Sequence, residues 1–335
     1  MTQGQVEQLF KTIGEANRML ILPHNDPDPD AIASAVALRY LLEKVRGIEG
    51  RIGYKGIIGR AENKALVRYL NVPFQPLTEL NLAEGGPIAL IDTQPAAGNN
   101  PLPAEAAVAI VIDHHPWREA TARASFADVR SEIGATSTML TEYLLAFGLE
   151  PETRLATALF YGLKTDTRGL SRNASPADVK AYFYLQARLE VKALAEIEYA
   201  QVPVDYFKSF HLSLHTARNY EGVIIAYLGQ MNYPDLAAET ADFLLRLEGS
   251  QWVICSGIYE QVLFFSVRTR NQQGGAGRLA QAIVGKEGAA GGHGTMAGGQ
   301  TPLNGRKSAQ VAQRLGHHAL EYLKVGPGVV GRPLI

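Results

Sequence analysis

Short apolar runs alternate with longer segments of helical apolar spacing through the first half of the chain. Four strands are predicted, at 19–23, 51–56, 87–91 and 108–112. The helical spacing falls between and after them, at 6–16, 30–47, 63–70, 135–147, 152–164 and 176–189. The near-continuous apolar runs PIALI (87–91) and VAIVI (108–112) are typical of parallel strands covered on both faces. This alternation predicts an α/β domain with a parallel sheet, right-handed crossovers and helices on both faces.

The second half has a different pattern. Helical spacing runs through 190–218, and strands follow at 221–229, 250–259 and 261–270, the last two joined by a tight hairpin at 259–262. Further helices are expected at 234–247, 277–284 and 307–323. We therefore predict a first domain at 1–189, a helical connector at 190–215, and a smaller α/β domain with a mixed sheet at 216–335. Glycines cluster at 274–277 and 285–299, which suits either a flexible linker or a backbone surface for an anion.

Composition narrows the function classes. The 335 residues suit two domains, and 46% hydrophobic with 19% charged residues is typical of globular proteins. A net charge of −1 with dispersed Lys and Arg argues against binding to long duplex nucleic acid but is compatible with a short anionic ligand. The single Cys255 is expected in the core and fits a reducing compartment. Without a leader-like N-terminus or a long apolar stretch, we expect a cytoplasmic protein that does not contact membranes.

Polar clusters follow the predicted strands where each strand ends. VAIVI leads into Asp113-His114-His115, MLILP (19–23) leads into HNDPDPDA (24–31), and PIALI leads into Asp92. A fourth acid, Asp166, follows the helical run at 156–164. Ligand sites in parallel sheets lie outside the carboxyl ends of the strands. Buried acids and imidazoles are costly unless a metal or a charged ligand satisfies them.

A cap at the following helix is the simplest role for Asp30 alone. It does not explain the whole set of candidate metal ligands, which comprises His24, Asp28, Asp30, Asp92, His114 and Asp166. Carboxylates with a minority of imidazoles suit manganese or magnesium. The number of ligands suits two ions sharing a carboxylate, about 3.5–4 Å apart, which together activate a water and stabilise a phosphoryl displacement.

The motifs argue against a metalloprotease, a serine hydrolase and a phosphate-binding loop. His211 and His215 have helical spacing but lack the Glu of HExxH, so we interpret them, like His317 and His318, as packed or solvated helix residues. The chain has no GxSxG elbow, and GAGR (275–278) is not followed by the Lys-Ser/Thr of a phosphate-binding loop.

The ordered motifs HNDPDPDA, LIDTQP, IDHHP and YGLKTDT resemble those of the DHH phosphoesterase family, over residues 19–170. The C-terminal half is similar to the DHH-associated domain through FSVRTR and AGGHGTMAGG (290–299). Ala290 and Met296 depart from the family's glycine motif, in which the first position is usually glycine and the other alanine. The departures concern the shape of the substrate pocket and leave the metal motifs intact.

The resemblance implies a role for each residue. His24 and Asp28 would bind one manganese, and Asp30, His114 and Asp166 the other, with Asp92 bridging the two. Asp113 would orient its neighbours, and His115 would face the substrate phosphate. In the second domain the implied contacts to phosphate or nucleotide come from Arg268, Gly291, Gly292 and His293.

The expected function is a manganese-dependent phosphoesterase that cleaves short single-stranded oligonucleotides (nano-RNA) or dinucleotides, or 3′-phosphoadenosine 5′-phosphate. Magnesium and cobalt are alternative metals, and a homodimer is compatible with the sequence. One alternative is a pyrophosphatase or polyphosphatase of the same fold, although NGRKSAQ (304–310) only loosely matches the basic signature of pyrophosphatases. Another is a non-catalytic nucleotide-binding sensor, which the complete set of six candidate ligands disfavours.

Overall fold

The computed structural model describes residues 3–77, 86–271 and 273–335, with only the backbone of residues 3, 5, 6 and 293. Contacts divide the chain into two compact units, Met1–Ala200 and Gln201–Ile335. This division places one boundary inside the region 190–215, and the proposed connector stays a prediction. Among the described residues, no helix is long and apolar enough to cross a membrane.

The first unit contains a six-stranded parallel sheet in the order β3-β2-β1-β4-β5-β6. Its strands are β1 (Arg18–Pro23), β2 (Glu49–Tyr54), β3 (Phe74–Pro76), β4 (Ile88–Ile91), β5 (Ile110–Asp113) and β6 (Phe126–Val129). The predicted parallel-sheet α/β fold is confirmed. The sequence analysis missed β3 and β6, which are short strands at the two edges with partly exposed side chains.

The helices of this unit are α1 (Gln3–Ile13), α2 (Pro29–Arg46), α3 (Ala61–Leu70), α4 (Thr136–Ala146), α5 (Thr153–Asp166), α6 (Pro176–Gln186) and α7 (Val191–Glu198). They share one core with Met19 and Ile21 of β1. Burying a side chain of this size contributes about 1.5–3 kcal/mol. The alternate residues Leu20 and Leu22 face a second core. Helices were predicted on both faces, but in the described part of the chain this second core is built by strands and connecting segments.

The second unit contains a seven-stranded mixed sheet in the order β11-β12-β10-β9-β8-β7-β13. The strands are β7 (Arg218–Tyr220), β8 (Val223–Gln230), β9 (Trp252–Tyr259), β10 (Val262–Thr269), β11 (Ala289–His293), β12 (Met296–Pro302) and β13 (Arg332–Pro333). Among the strand pairs of the described residues in this unit, β8 and β9 alone are parallel. The helices are α8 (Val204–Thr216), α9 (Leu236–Leu244), α10 (Ala276–Val284) and α11 (Ser308–Tyr322).

Two turns of the second sheet illustrate how sequence sets local structure. The predicted hairpin at 259–262 forms, and Glu260 and Gln261 both have positive φ, 45° and 65°, as a two-residue type I′ turn requires. The glycine-rich segment after 285 is no flexible linker, because most of it forms the β11–β12 hairpin. Gly299 leaves room there for the Phe265 ring, which would lie 2.5 Å from an added Cβ. Cys255 is buried in β9, as predicted.

Candidate metal centre

The candidate site lies where the strand order of the parallel sheet reverses. β1 and β4 are neighbours in the sheet, and the chain continues outward from them in opposite directions. Such a switch point opens a crevice outside the carboxyl ends of the strands. His24 follows β1, Asp92 follows β4, and Asp113 is the last residue of β5. The sheet order therefore brings three distant segments to one edge.

All six predicted metal ligands are close together. Their ligand atoms form overlapping groups in which every atom lies within 4.8 Å of the others, namely His24/Asp28/Asp92, Asp30/His114/Asp166 and Asp92/His114/His115. Two members are shared between groups: Asp92 and His114. The predicted phosphate-facing His115 also reaches Asp92, with its Nδ1 at 3.6 Å from Oδ1.

Asp92 lies between two histidines and turns one oxygen towards each. Its Oδ2 is 3.5 Å from His24 Nε2, and its Oδ1 is 3.4 Å from His114 Nε2. The residue is 1% exposed and has a positive φ of 58°, a conformation that Asp tolerates better than most residues. Strained backbone of this kind concentrates at functional sites. The two oxygens of the carboxylate thus face two different imidazole nitrogens.

The two imidazoles turn their Nε2 atoms towards these carboxylates. His24 Nδ1 donates to Asn25 O at 2.7 Å, and His114 Nδ1 donates to Ile133 O at 3.2 Å. Because a carbonyl oxygen only accepts, Nδ1 must carry the hydrogen, which leaves Nε2 as a lone-pair donor to a metal. His114 Nε2 is buried, has no hydrogen-bond partner among the described residues, and lies 3.3 Å from Asp166 Oδ2.

That unsatisfied nitrogen is the observation that tests whether these residues fit a metal. Ligand atoms that share one ion through bonds of about 2.1 Å lie about 3 Å apart. Lone pairs of His114 and Asp166 that face each other at this range repel unless a cation or a proton lies between them. The residues therefore fit a hard divalent cation. The carboxylate-rich donor set favours manganese or magnesium over zinc.

The alternative role of Asp30 as the cap of its own helix is wrong. The cap of α2 is Asp28, whose Oδ1 accepts a hydrogen bond from Ala31 N at 3.0 Å, because Pro29 takes the first helical position. Asp30 instead accepts hydrogen bonds from the first two amides of α4. These amides lie 106 and 107 positions further along the chain than Asp30. These bonds hold its carboxylate in place at 0% exposure.

Burial and mutual repulsion shift the pKa values of the cluster. Burial raises the pKa of Asp30 to about 7, and the charge of Asp166 adds to this effect. Burial likewise raises the pKa of Asp92 to about 6, reinforced by the charge of Asp30. Burial alone would lower the pKa of His24, but the hydrogen bond and charges of Asp28 and Asp92 outweigh it and raise the pKa to about 10. The ion-free centre therefore retains protons at neutral pH.

Metal affinity is expected to fall as the pH decreases through about 7, the pKa of Asp30, and about 6, the pKa of Asp92. A cation binds the deprotonated ligands, so protons compete with it increasingly as these acids titrate. Each proton displaced changes the apparent affinity about tenfold per pH unit. Calorimetric titration with Mn²⁺ in buffers of different ionisation enthalpy counts the protons released. An affinity that does not change between pH 8 and pH 6 would contradict this account.

His115 is oriented by a chain of buried groups. Its Nδ1 donates to Asp113 Oδ1 at 2.8 Å, and Asp113 Oδ2 accepts from Gln94 Nε2 at 2.6 Å. Gln94 Oε1 in turn accepts from Arg118 N and Thr121 Oγ1. Asp113 thus contacts the ring that it was predicted to orient, and this role stays a prediction. Gln94 was not among the predicted site residues, although its position two residues after Asp92 was an available signal.

A glycine allows α5 to approach the site. A Cβ added to Gly162 would lie 2.6 Å from Ser137 Oγ and 2.9 Å from Asp30 Cα. The absence of a side chain therefore lets α5 pack directly on the start of α2 and α4, and Asp166 lies at its last turn. Arg172 donates from Nε to the backbone oxygen of Asp166 at 2.9 Å. Sequence reasoning missed both Gly162 and Arg172.

The predicted substrate-binding residues lie in the second unit. Arg268 is 7% exposed, and its guanidinium pairs with Asp242 at 2.8 Å and donates to Ser266 Oγ at 2.7 Å. Gly291 and Gly292 pair with β12 in the hairpin, and the side chain of His293 is outside the described part. His211 and His215 are exposed on α8, and His317 and His318 on α11, as expected for helix residues.

Comparison with known proteins supports the motif analysis. Residues 18–163 match the model of the DHH family, N-terminal domain. An uncharacterised protein of Methanocaldococcus jannaschii is 37% identical over 287 residues, and the match covers 85% of this chain but only 58% of that protein. A Staphylococcus aureus protein named as a probable manganese-dependent inorganic pyrophosphatase is 25% identical over 227 residues, 64% of this chain and 71% of its own length.

A solved structure has the same fold. The crystal structure of an exopolyphosphatase-related protein from Bacteroides fragilis matches with a TM-score of 0.76 and covers 96% of this chain and 97% of its own. Its sequence identity is 16%, so the likeness concerns the fold alone. The match of residues 18–163 to the DHH family, N-terminal domain, confirms the resemblance inferred from the four motifs.

Proposed function

We propose that this protein is a manganese-dependent phosphoesterase that hydrolyses short oligonucleotides or dinucleotides, or 3′-phosphoadenosine 5′-phosphate. The observation that carries the proposal is Asp92, with one carboxylate oxygen facing His24 and the other facing His114. This arrangement suits a shared ligand between two cations, which is the site that phosphoryl hydrolysis favours.

Each ion would have its own ligands besides Asp92. His24 and Asp28 would hold one ion, and Asp30, His114 and Asp166 the other. When bound, the pair of ions supplies an activated water and stabilises the charge on the attacking and leaving oxygens. The protein supplies positions that are fixed before substrate arrives, since hydrogen bonds to backbone groups hold the side chains of His24, Asp28, Asp30 and His114.

His115 would donate a hydrogen bond to the substrate phosphate. Burial lowers its pKa, but the hydrogen bond to Asp113 and the charge of Asp92 outweigh burial, and the pKa is raised. A raised pKa favours the protonated imidazole, which is a charged donor and binds phosphate more strongly than a neutral one. The side chain is 35% exposed and remains accessible from solvent.

The decisive experiment is a manganese-dependent assay on a series of RNA oligomers of two to five nucleotides and on 3′-phosphoadenosine 5′-phosphate. Wild type should release mononucleotides or phosphate, with a preference for the short oligomers, whereas Asp92→Ala should not. If wild type shows no activity above that of Asp92→Ala on any of these substrates, the proposal is wrong.

A pyrophosphatase or polyphosphatase is the second candidate. The name of the Staphylococcus aureus relative favours it, since that protein is 25% identical to this chain over 227 residues. The same metal centre would serve, because phosphoanhydrides and phosphoesters are cleaved by the same displacement. Comparing phosphate release from pyrophosphate with nucleotide release from dinucleotides, at equal enzyme concentration, separates the two candidates.

Replacement of Arg268 with alanine tests whether the second unit recognises nucleotides. If Arg268 binds a substrate phosphate, kcat/KM on dinucleotides should fall about 10–100-fold, the effect of losing a charged hydrogen bond. Pyrophosphate hydrolysis by the same variant serves as the internal control. If loss of the ion pair with Asp242 unfolded the protein, hydrolysis of both substrates would fall equally. Equal losses on both substrates would contradict a role for Arg268 in nucleotide recognition.

A further inference from the structure

The segment 133–138 runs from the connection after β6 into the first turn of α4, and its backbone contacts ligands of the candidate metal centre. Ile133 O accepts the hydrogen bond that fixes the ring of His114. The amides of Thr136 and Ser137 donate to the two oxygens of Asp30, at 2.6 and 2.7 Å. One short segment thus holds two ligands that come from distant parts of the chain.

A side chain of the same segment holds a third ligand. Thr136 Oγ1 donates to Asp92 Oδ1 at 2.9 Å. This is the oxygen that faces His114, whereas Oδ2 faces His24. Thr136 is fully buried, so no water competes with Asp92 for the hydrogen bond of its hydroxyl.

The buried carboxylate of Asp178, which belongs to none of the ligand groups, holds the segment in place. Asp178 accepts from Gly134 N at 2.8 Å and from Thr138 Oγ1 at 2.6 Å, and it also closes the capping box of α6 with Ser175. Gly134 is also packed tightly, since an added Cβ would lie 2.7 Å from Thr167 Cγ2. The segment therefore has little freedom to move relative to α6.

These contacts are all on one side of Asp92. Asp30 and His114 belong to the same ligand group, and the oxygen held by Thr136 is the one that faces that group. The other group is oriented by its own loop, through the bonds of His24 to Asn25 O and of Asp28 to Ala31 N.

We propose that the segment 133–138 is a positioning segment mainly for the metal position of Asp30, His114 and Asp166, with Thr136 as its key positioning residue. The inference rests on the proposed metal centre. Each position has supports of its own besides the shared Asp92, so the affinity of one ion can be lowered more than that of the other.

The test replaces Thr136 with valine, which removes the hydroxyl at nearly constant shape, and with serine, which keeps it. Electron paramagnetic resonance of unbound Mn²⁺ during a titration gives the number of ions bound per chain and their affinities. Wild type should bind two ions. Thr136→Val should bind the ion of the Asp30 group about 10–100-fold more weakly than wild type, the usual effect of removing a group that orients a metal ligand, and the other ion should be weakened less. Thr136→Ser should retain both affinities.

Two further variants test whether the loss of affinity is specific to one ion. Asp28→Ala removes a ligand of the other group and should weaken the opposite ion while sparing the one held by Asp30. Thr138→Val cuts the link to Asp178 without touching a ligand and should weaken the same ion as Thr136→Val, so it replaces that variant if valine at 136 does not fold. A purely structural role for the segment would lower the melting temperature and leave the ratio of the two affinities unchanged.

The outcomes are distinguishable. Equal weakening of both ions in Thr136→Val and Thr138→Val, or no weakening in either, overturns the inference while leaving the metal centre intact. A folded wild-type protein that binds no Mn²⁺ overturns the proposed centre itself.

Discussion

Replacement of Asp92 with asparagine is expected to reduce manganese-dependent hydrolysis at least about a thousandfold, equivalent to about 4 kcal/mol of transition-state stabilisation. Asparagine preserves the shape of the side chain but offers only one ligand oxygen. Its NH₂ group would face either His24 or His114, and it cannot bind a cation. Both candidate positions share this carboxylate, so a single substitution impairs two ions.

The loss should not come from unfolding. Because burial raises the pKa of Asp92 to about 6, the charge that it carries at neutral pH destabilises the native protein without metal. Removing that charge should leave the metal-free melting temperature unchanged or slightly higher. Thermal unfolding in the presence of a chelator, measured beside kcat/KM, separates a lost ligand from a lost fold.

Asp26→Asn is the matched control for this substitution. Asp26 lies in the same loop as Asp28 but in none of the ligand groups, and its Oδ1 accepts from Ile57 N at 2.7 Å. Asparagine keeps that acceptor and tolerates the positive φ of 53° at this position. Activity should stay within about twofold of wild type, as for most substitutions that preserve local contacts. An Asp92→Asn enzyme as active as this control would refute the bridging role.

Replacement of Gly162 with alanine is expected to damage both stability and activity. Alanine favours helices over glycine by about 1 kcal/mol, yet here its methyl would overlap Ser137 Oγ and the Cα of Asp30. The second contact is with backbone and cannot be relieved by a rotamer change. We expect the free energy of unfolding to fall by about 1–3 kcal/mol, the usual cost of overpacking a core.

The activity of Gly162→Ala should fall about a hundredfold, because separating α5 from α2 moves Asp166 away from Asp30, and a displacement of about 1 Å can cost that much. Gly316→Ala is the matched control. It also lies inside a helix, and its added Cβ would meet only side-chain atoms of Ile225, at 3.2 and 3.4 Å. If urea denaturation and kcat/KM fail to distinguish the two variants, the close approach of α5 is not required.

In the first unit, the elements that could be predicted from the sequence are those whose apolar residues recur with a regular period or form a continuous run. The strands β1, β4 and β5 were predicted because nearly every residue in them is apolar, which their burial on both faces demands. The polar groups after them were recognisable as a site because they recur at successive strand ends. The six candidate ligands do lie together, and their role as ligands stays a prediction.

What the sequence did not reveal depends on contacts between distant residues. The β11–β12 hairpin has mostly glycine and alanine on β11, so it carries no alternation of large apolar and polar side chains. The bonds of Asp30 to the start of α4 span 106 and 107 positions and follow no period. Gly162 and Thr136 are ordinary residues within helical patterns, and only the packing of α5 and α4 against the strand ends gives them a function.

The positions of the candidate ligands along the chain determine when each ligand group is complete during synthesis. The group of His24, Asp28 and Asp92 has all its members once the growing chain has passed residue 92, whereas the group of Asp30, His114 and Asp166 needs residue 166 as well. The two positions thus become available at different times during synthesis. Because a preformed site rarely exists in an unfolded chain, a second ion in the proposed centre would bind only after α5 has docked. Binding of both ions would therefore report that α5 has reached its place in the first unit.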